Sequence, residues 1–232
     1  VHANLVALES VLEDLESRGA DEILFLGDVV GYANRPGDCL AVVRERAVRA
    51  VAGNHDWGVA GRTDIAGFNR QARGAIEWTR QELGRANLDY LSELPLWTSY
   101  GDIMLVHSSP AAPALFPYID TIEDATEAFR AAAEKVIFVG HSHAPVIFLN
   151  GTIVDYFMLQ DFRLDDGEQA IVNVGSVGQP RDLDPRACYA LYDVERRSVS
   201  IHRVAYDVKR ASRGIRRAGL PDLNARRILW GW

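Results

Sequence analysis

Five of the six histidines in the chain lie in short polar signatures at or beside expected strand ends: His2, His55 within Asn54-His55-Asp56, His107, and the pair His141-x-His143. Asp28, in Gly27-Asp28, joins them. Imidazoles, one carboxylate and an amide oxygen brought together are a mixed N and O donor set for divalent transition metals. No thiolate accompanies them, which argues against a structural cysteine-type zinc site. Asp28 offers two oxygens and could bridge two ions roughly 3.5–4 Å apart, as two-metal hydrolytic sites require. His141 and His143, one residue apart in an extended loop, would then face different ions. Singly, each signature has an ordinary explanation: a surface histidine, a strand-to-loop turn, a capping asparagine at Asn54. Independent ordinary explanations for all five are a poor account of the set.

Short apolar runs must position these groups. Glu22 to Leu26, Val48 to Ala52, Ile103 to Val106 and Val136 to Val139 each precede one of the signatures and suit buried strands. Helical spacing of apolar residues covers Asn4 to Gly19, Pro36 to Ala47 and most of Asp64 to Leu94, and a Ser/Thr-x-x-acid start opens another helix at Thr121. Strands alternating with helices predict a parallel sheet whose strand ends carry the site. After Pro145 the pattern changes. Asn150-Gly151, Asp165-Asp166-Gly167 and Glu195 to Ser198 suit hairpin turns and predict an antiparallel meander. The end of the chain, from about residue 207, is expected to be helical with a break at Pro221. From Arg203 onward it carries eight Lys/Arg against Asp207 and Asp222.

The 232 residues fit one sizeable domain, and no repeat or linker divides them, so residues 1–232 are taken as a single unit. Apolar residues make up 48% and charged ones 25%, which excludes disordered and fibrous classes. No run approaches a membrane span. The net charge of −7 argues against stable, nonspecific nucleic-acid binding. Two cysteines, Cys39 and Cys188, cannot build a disulfide framework; they suit packing positions in a reducing, cytoplasmic setting.

The ordered set Gly27-Asp28-x-x-Gly31-Tyr32, Gly53-Asn54-His55-Asp56, His107 and Gly140-His141-Ser142-His143 resembles the calcineurin-like metallophosphoesterases. Asn173-Val174-Gly175-Ser176 and Gly178-Gln179-Pro180-Arg181-Asp182 bring it closer to their small bacterial and archaeal phosphodiesterase branch. The resemblance implies an α/β fold: an αββα sandwich of two mixed β-sheets flanked by helices. It implies two divalent metal ions (Mn, Zn, Fe or Ni), with Asp28 bridging, His2 and His143 in the first site, and Asn54, His107 and His141 in the second. His55 would be the proton donor, oriented by Asp56. The implied reaction is in-line attack on phosphorus by a metal-bound hydroxide.

The family's Asp-x-His motif would put an aspartate directly before Val1, at the end of a first strand. With Val1 as the first residue, the first metal site keeps only His2, Asp28 and His143 and is expected to be weakened. Residues upstream, where a leader peptide could also lie, would supply that aspartate and restore the site. A chain that truly starts at Val1 would have low activity or serve as a non-catalytic phospholigand-binding relative.

Arg181 and Arg35 are candidates for anchoring a phosphate, because guanidinium presents paired donors. Arg35 has the rival reading of a plain surface residue. Asn54 and Tyr32 would line the substrate side, with Trp57, Phe68 and Asn69 beside the motif loops, although Phe68 suits the core better. The expected activity is metal-dependent hydrolysis of a small phosphodiester or nucleotide-like substrate. A phosphomonoesterase or protein phosphatase is the nearest alternative. The closing Leu229-Trp230-Gly231-Trp232 could pack on the domain or on a second subunit of a homo-oligomer.

Overall fold

The computed structural model of the protein describes residues 1–150, 154–157 and 162–232. The front of the chain forms α1 (Leu5–Ser17), β1 (Ile23–Phe25), α2 (Pro36–Arg46), β2 (Ala47–Ala50), α3 (Asn54–Ala60), α4 (Arg70–Glu82) and α5 (Arg85–Glu93). Next come β3 (Trp97–Tyr100), β4 (Ile103–Val106), α6 (Ile122–Arg130), β5 (Val136–Val139), β6 (Val146–Asn150) and β7 (Val154–Phe157). The chain closes with β8 (Phe162–Arg163), β9 (Ala170–Asn173), β10 (Ala187–Asp193), β11 (Ser198–Val204), α7 (Val208–Arg217) and α8 (Asp222–Trp230).

Side chains alternate across a strand, so a strand buried on both faces must be apolar throughout. Ile103-Met104-Leu105-Val106 of β4 meets that demand. Ile103 and Leu105 enter one core with Val136, Phe138 and Val172, while Met104 and Val106 enter another with Ala125, Ala128 and Phe129 of α6. These strands belong to a six-stranded mixed sheet of order β3-β4-β5-β9-β6-β7, with β4, β5 and β9 parallel. Against its inner face lie Leu24, Leu26 and Val51 around β1–β2, and Ala190, Tyr192, Val199 and Ile201 of β10–β11. Helices cover the far side: α1 packs through Ala7, Val11 and Leu15 on Ala187 and Tyr189, and its Leu8 joins Cys39, Leu40 and Ile76. Helix, sheet, sheet and helix thus form the four layers expected. Each fully buried Leu or Ile in them contributes roughly 1.5–3 kcal/mol of transfer free energy.

The layer facing the six-stranded sheet is in two pieces, parallel β1–β2 and antiparallel β10–β11–β8. A cleft of about 1160 Å³, lined by Leu24, Leu26, Phe138, Ala190 and Tyr192, runs between them to His2.

Local signals hold well at helix starts. The Asn4 side chain accepts from the Ala7 amide at 3.3 Å to cap α1, and Thr121 and Asp124 form a reciprocal capping box at α6. The meander needs correction. β10 and β11 do form a hairpin, but the Asp165–Gly167 turn does not join paired strands. Beyond it β9 inserts between β5 and β6, because its apolar run Ala170 to Asn173 is buried on both faces. β6 and β7 pair antiparallel as expected, with Asn150 opposite Val154, although the turn at Gly151 lies outside the described residues. The tail is two helices parted at Pro221, packed through Ile215 and Ile228 on Ala72 and Ala75 of α4. Among the described residues no helix is long and apolar enough to cross a membrane.

Candidate metal centre

Backbone strain marks the site. His2, Asp28, Tyr32, His141 and His143 all have positive φ, between 49° and 67°. Non-glycine residues rarely adopt this left-handed conformation, and it persists where the surrounding structure over-determines it. Here hydrogen bonds do so: the His2 amide donates to the Asp28 carbonyl at 2.8 Å, and the Ala33 amide to the His2 carbonyl at 3.1 Å. Two glycines let the loops after β1 and β2 lie back to back. A Cβ on Gly53 would strike the Asp28 carboxylate, and one on Gly27 would strike the Gly53 backbone.

The five predicted histidines meet around Asp28. One donor group is His2, Asp28 and His143; a second is Asp28, His107 and His141; within each, the ligating atoms lie within 4.8 Å of one another. Three of the imidazoles are aimed by backbone carbonyls. Nδ1 of His2 bonds to the Val30 carbonyl at 3.2 Å, Nδ1 of His107 to Leu26 at 2.6 Å, and Nδ1 of His143 to Gln179 at 2.6 Å. A carbonyl only accepts, so each Nδ1 carries the proton and each Nε2 turns a lone pair inward. The inward lone pairs then face one another. His2 Nε2 lies 2.9 Å from His143 Nε2 and 3.4 Å from Asp28 Oδ2, and His107 Nε2 lies 3.3 Å from Asp28 Oδ2.

Acceptors turned on acceptors at this range repel unless a cation lies among them. Ligands held at ~2.1 Å from a divalent ion are themselves roughly 3 Å apart, so the residues fit metal. Among the described residues the buried Asn54 Oδ1 has no hydrogen-bond partner, which suits the same purpose.

Electrostatics agree. Burial depresses His2 and His143 well below the ordinary imidazole value, His55 to about 4 and His141 to about 3. They are therefore neutral and able to ligate at pH 7. Burial would raise the Asp28 carboxyl, but His107, His55 and His2 around it outweigh that and hold it well below the usual carboxylate range. For His107 burial is likewise outweighed, by the Asp28 charge, and its proton affinity rises.

His55, at the start of α3, donates its amide to Asp28 Oδ1 at 2.9 Å, and its ring lies against Tyr32, His2 and Phe68 with centroids 4.4, 4.9 and 5.6 Å away. Gly31 makes room for it, since a Cβ there would meet His55 Nδ1. Phe68 thus touches the site as well as the core. The expected pairing of Asp56 with the His55 ring is corrected by the structure. Asp56 Oδ1 accepts from the Val30 amide at 3.1 Å and Oδ2 from the Gly53 amide at 3.0 Å. Adjacent residues on a helix point about 100° apart, so Asp56 ties loops together and His55 Nδ1 has no partner among the described residues.

Arg181 reaches the centre. Its guanidinium donates to the Tyr32 hydroxyl at 3.0 Å and to Gln179 Oε1 at 3.1 Å, with Nε buried and unpartnered among the described residues. Arg35 does not reach it: exposed, it pairs with Asp38 at 2.6 Å. Asn69 caps α4 by accepting from the Ala72 amide at 2.9 Å. Sequence reasoning quoted Asn173 within a family-like segment but gave it no role; its Nδ2 donates to the Gly140 carbonyl at 2.6 Å and to Ser142 Oγ at 2.9 Å, fixing the loop of His141 and His143. Sequence reasoning missed Phe116 and Tyr118. The Tyr118 ring stacks on His141 at 4.2 Å.

A buried cluster of imidazoles around one carboxylate, at the strand ends of a four-layer α/β sandwich, defines a metal-binding α/β protein. Residues 1–197 match the calcineurin-like phosphoesterase superfamily domain. Uncharacterized protein MJ0912 of Methanocaldococcus jannaschii is 35% identical over 238 residues, spanning 100% of this chain and 95% of that protein. The crystal structure of a metallophosphoesterase from Sphaerobacter thermophilus superposes with a TM-score of 0.88 at 39% identity, covering 100% of this chain and 96% of that one. Hypothetical protein PH1004 from Pyrococcus horikoshii shares the fold, with a TM-score of 0.78 at 21% identity over 99% and 94% of the two chains. The chain belongs to the calcineurin-like phosphoesterase superfamily, a metal-dependent family of hydrolases acting on phosphate esters.

Proposed function

We propose that the protein is a phosphodiesterase that uses two divalent ions, and the observation that carries this is Asp28 shared between two donor groups. His2, Asp28 and His143 would hold one ion, and Asp28, Asn54, His107 and His141 the other. Bound there, divalent ions of the Mn, Zn, Fe or Ni kind supply Lewis acidity to the phosphoryl oxygens and a nucleophile at neutral pH.

Arg181 offers paired donors to a phosphate oxygen, and the Tyr32 hydroxyl holds its guanidinium in place. His55 is neutral in the resting site. A phosphate anion beside it raises its proton affinity, so the ring takes up a proton from solvent as the substrate binds and then gives that proton to the departing alkoxide, returning to the neutral form. Arg181 adds a fixed positive charge beside the two ions, and together they would attract the anionic phosphate of an ester. The two buried cysteines, Cys39 and Cys188, support assignment to the reducing cytoplasm.

The test compares bis(p-nitrophenyl) phosphate with p-nitrophenyl phosphate on Mn²⁺- or Zn²⁺-loaded protein. Faster turnover of the diester is expected, and hydrolysis of a diester with an alkoxide leaving group, such as a 3′,5′-cyclic nucleotide, should fall about 10²–10⁴-fold in His55→Ala at unchanged metal content. Faster monoester turnover refutes the diesterase assignment, and hydrolysis of the alkoxide-leaving diester unaltered by His55→Ala refutes the proton donor.

A further inference from the structure

The loop after His107 is not used by the ligand set, yet it runs along the edge of the centre. Phe116, itself held at φ 51°, wedges between Trp57 and the His107 and His141 rings, with centroids 5.8, 6.1 and 6.5 Å away. Tyr118 lies nearly flat on His141, at 20° between planes, yet remains 48% exposed. One face of the phenol is covered by a candidate ligand and the other is open. That open side borders a second cavity of about 640 Å³, a size typical of small-molecule sites. Ile119, Ile122, Val146 and Phe148 give it apolar walls, and Ile122 is 41% exposed. Ser142, between the two loop histidines, and Arg181 also line it, so it opens onto the metal centre. At its rim stand the exposed carboxylates Asp120 and Glu123.

We infer that this cavity receives the nucleoside portion of a nucleotide ester whose phosphate sits at Arg181 and the metal centre. The inference rests on the phosphodiesterase reading for which end of the substrate reacts. A flat base stacks on the open face of Tyr118, and the apolar walls exclude water from its edge. The ribose hydroxyls are donors, and Asp120 and Glu123 are acceptors. The same carboxylates repel additional phosphates, so the group seated here is an uncharged nucleoside rather than a polyphosphate chain. Tyr118 already lies stacked on His141, which makes the stacking surface preformed.

Equilibrium binding to the metal-loaded protein tests this, with adenosine 5′-monophosphate and methyl phosphate as probes measured by calorimetry. Base stacking is worth roughly five- to hundredfold in affinity, so the nucleotide is expected to bind at least about tenfold more tightly. Tyr118→Ala and Ile122→Asp are each expected to reduce that ratio to below about threefold, and Tyr118→Phe to retain it. Equal affinity of the two probes in the parent protein overturns the inference, as does a ratio that survives both Tyr118→Ala and Ile122→Asp. Because the readout is binding, loss of diester turnover in the assay above would sink the phosphodiesterase reading while this ratio still decides the nucleoside site.

Discussion

Acidification of the metal-free protein probes the buried imidazoles directly. A histidine whose folded value lies below its unfolded one stabilises the fold fully above pH 6.5, and that stability is lost as pH falls toward the folded value. For His55, depressed to about 4, and His141, depressed to about 3, moving from pH 7.5 to 5 removes roughly 2 kcal/mol each. His2 and His143 shift the same way and add to the loss. Asp56 opposes it. Burial raises its carboxyl to about 6, so it takes up a proton in the fold before it does in the unfolded chain and returns about 1.4 kcal/mol by pH 5. His107, raised by Asp28, opposes it too. The three groups with stated values leave a net loss of about 3 kcal/mol, a large share of an ordinary domain's stability. Urea unfolding of EDTA-treated protein at pH 7.5, 6 and 5 should show a falling midpoint. In His55→Asn the fall should shrink by about 2 kcal/mol. A midpoint that is flat or rises on acidification would refute the assignment of neutral, buried imidazoles.

Three further outcomes follow from particular contacts. Gly31→Ala, at φ 94° and against His55 Nδ1, should cost about 1–3 kcal/mol in chemical unfolding and lower diester turnover at least tenfold with metal content intact. Asp28→Asn removes the oxygen shared by both donor groups, so elemental analysis after dialysis against Mn²⁺ or Zn²⁺ should find both ions depleted, not one. Ile137→Ala empties a fully buried position on β5 and should destabilise the fold by about 2–5 kcal/mol, read as a lower urea midpoint.

Much of the site was legible because its chemistry sits where apolar runs stop. Ile103 to Val106 had to be a buried strand, so His107 had to stand at its end; the same argument placed Asp28 and the His141 loop. What the sequence withheld was mostly long-range. Nothing local in Ala170 to Asn173 says that β9 will insert between β5 and β6, or that β8 will pair with β11, because register and order are settled by pairing between distant segments. The α3 helix was also hidden. It is a seven-residue element with Gly58 inside it, too short for a periodic signal, and it owes its place to Asp56 bridging the Gly53 and Val30 amides. Tyr118 and Phe116 carry no motif at all, and only the stacking on His141 singles them out. Arg181 stood ahead of Arg35 because of its family-like segment, and the structure shows what separates them: Asp38 keeps Arg35 on the surface, and Tyr32 draws Arg181 inward.

Gly27 and Gly53, with no atom to spare between them, make the loops after β1 and β2 a single casting. Shifting one drags the other along, so the first carboxylate and the start of α3 travel together or not at all. A lineage exploring new chemistry here therefore has little freedom in this half of the pocket. Variation enters most cheaply from the opposite bank, where Phe116 and Tyr118 meet the site through their rings.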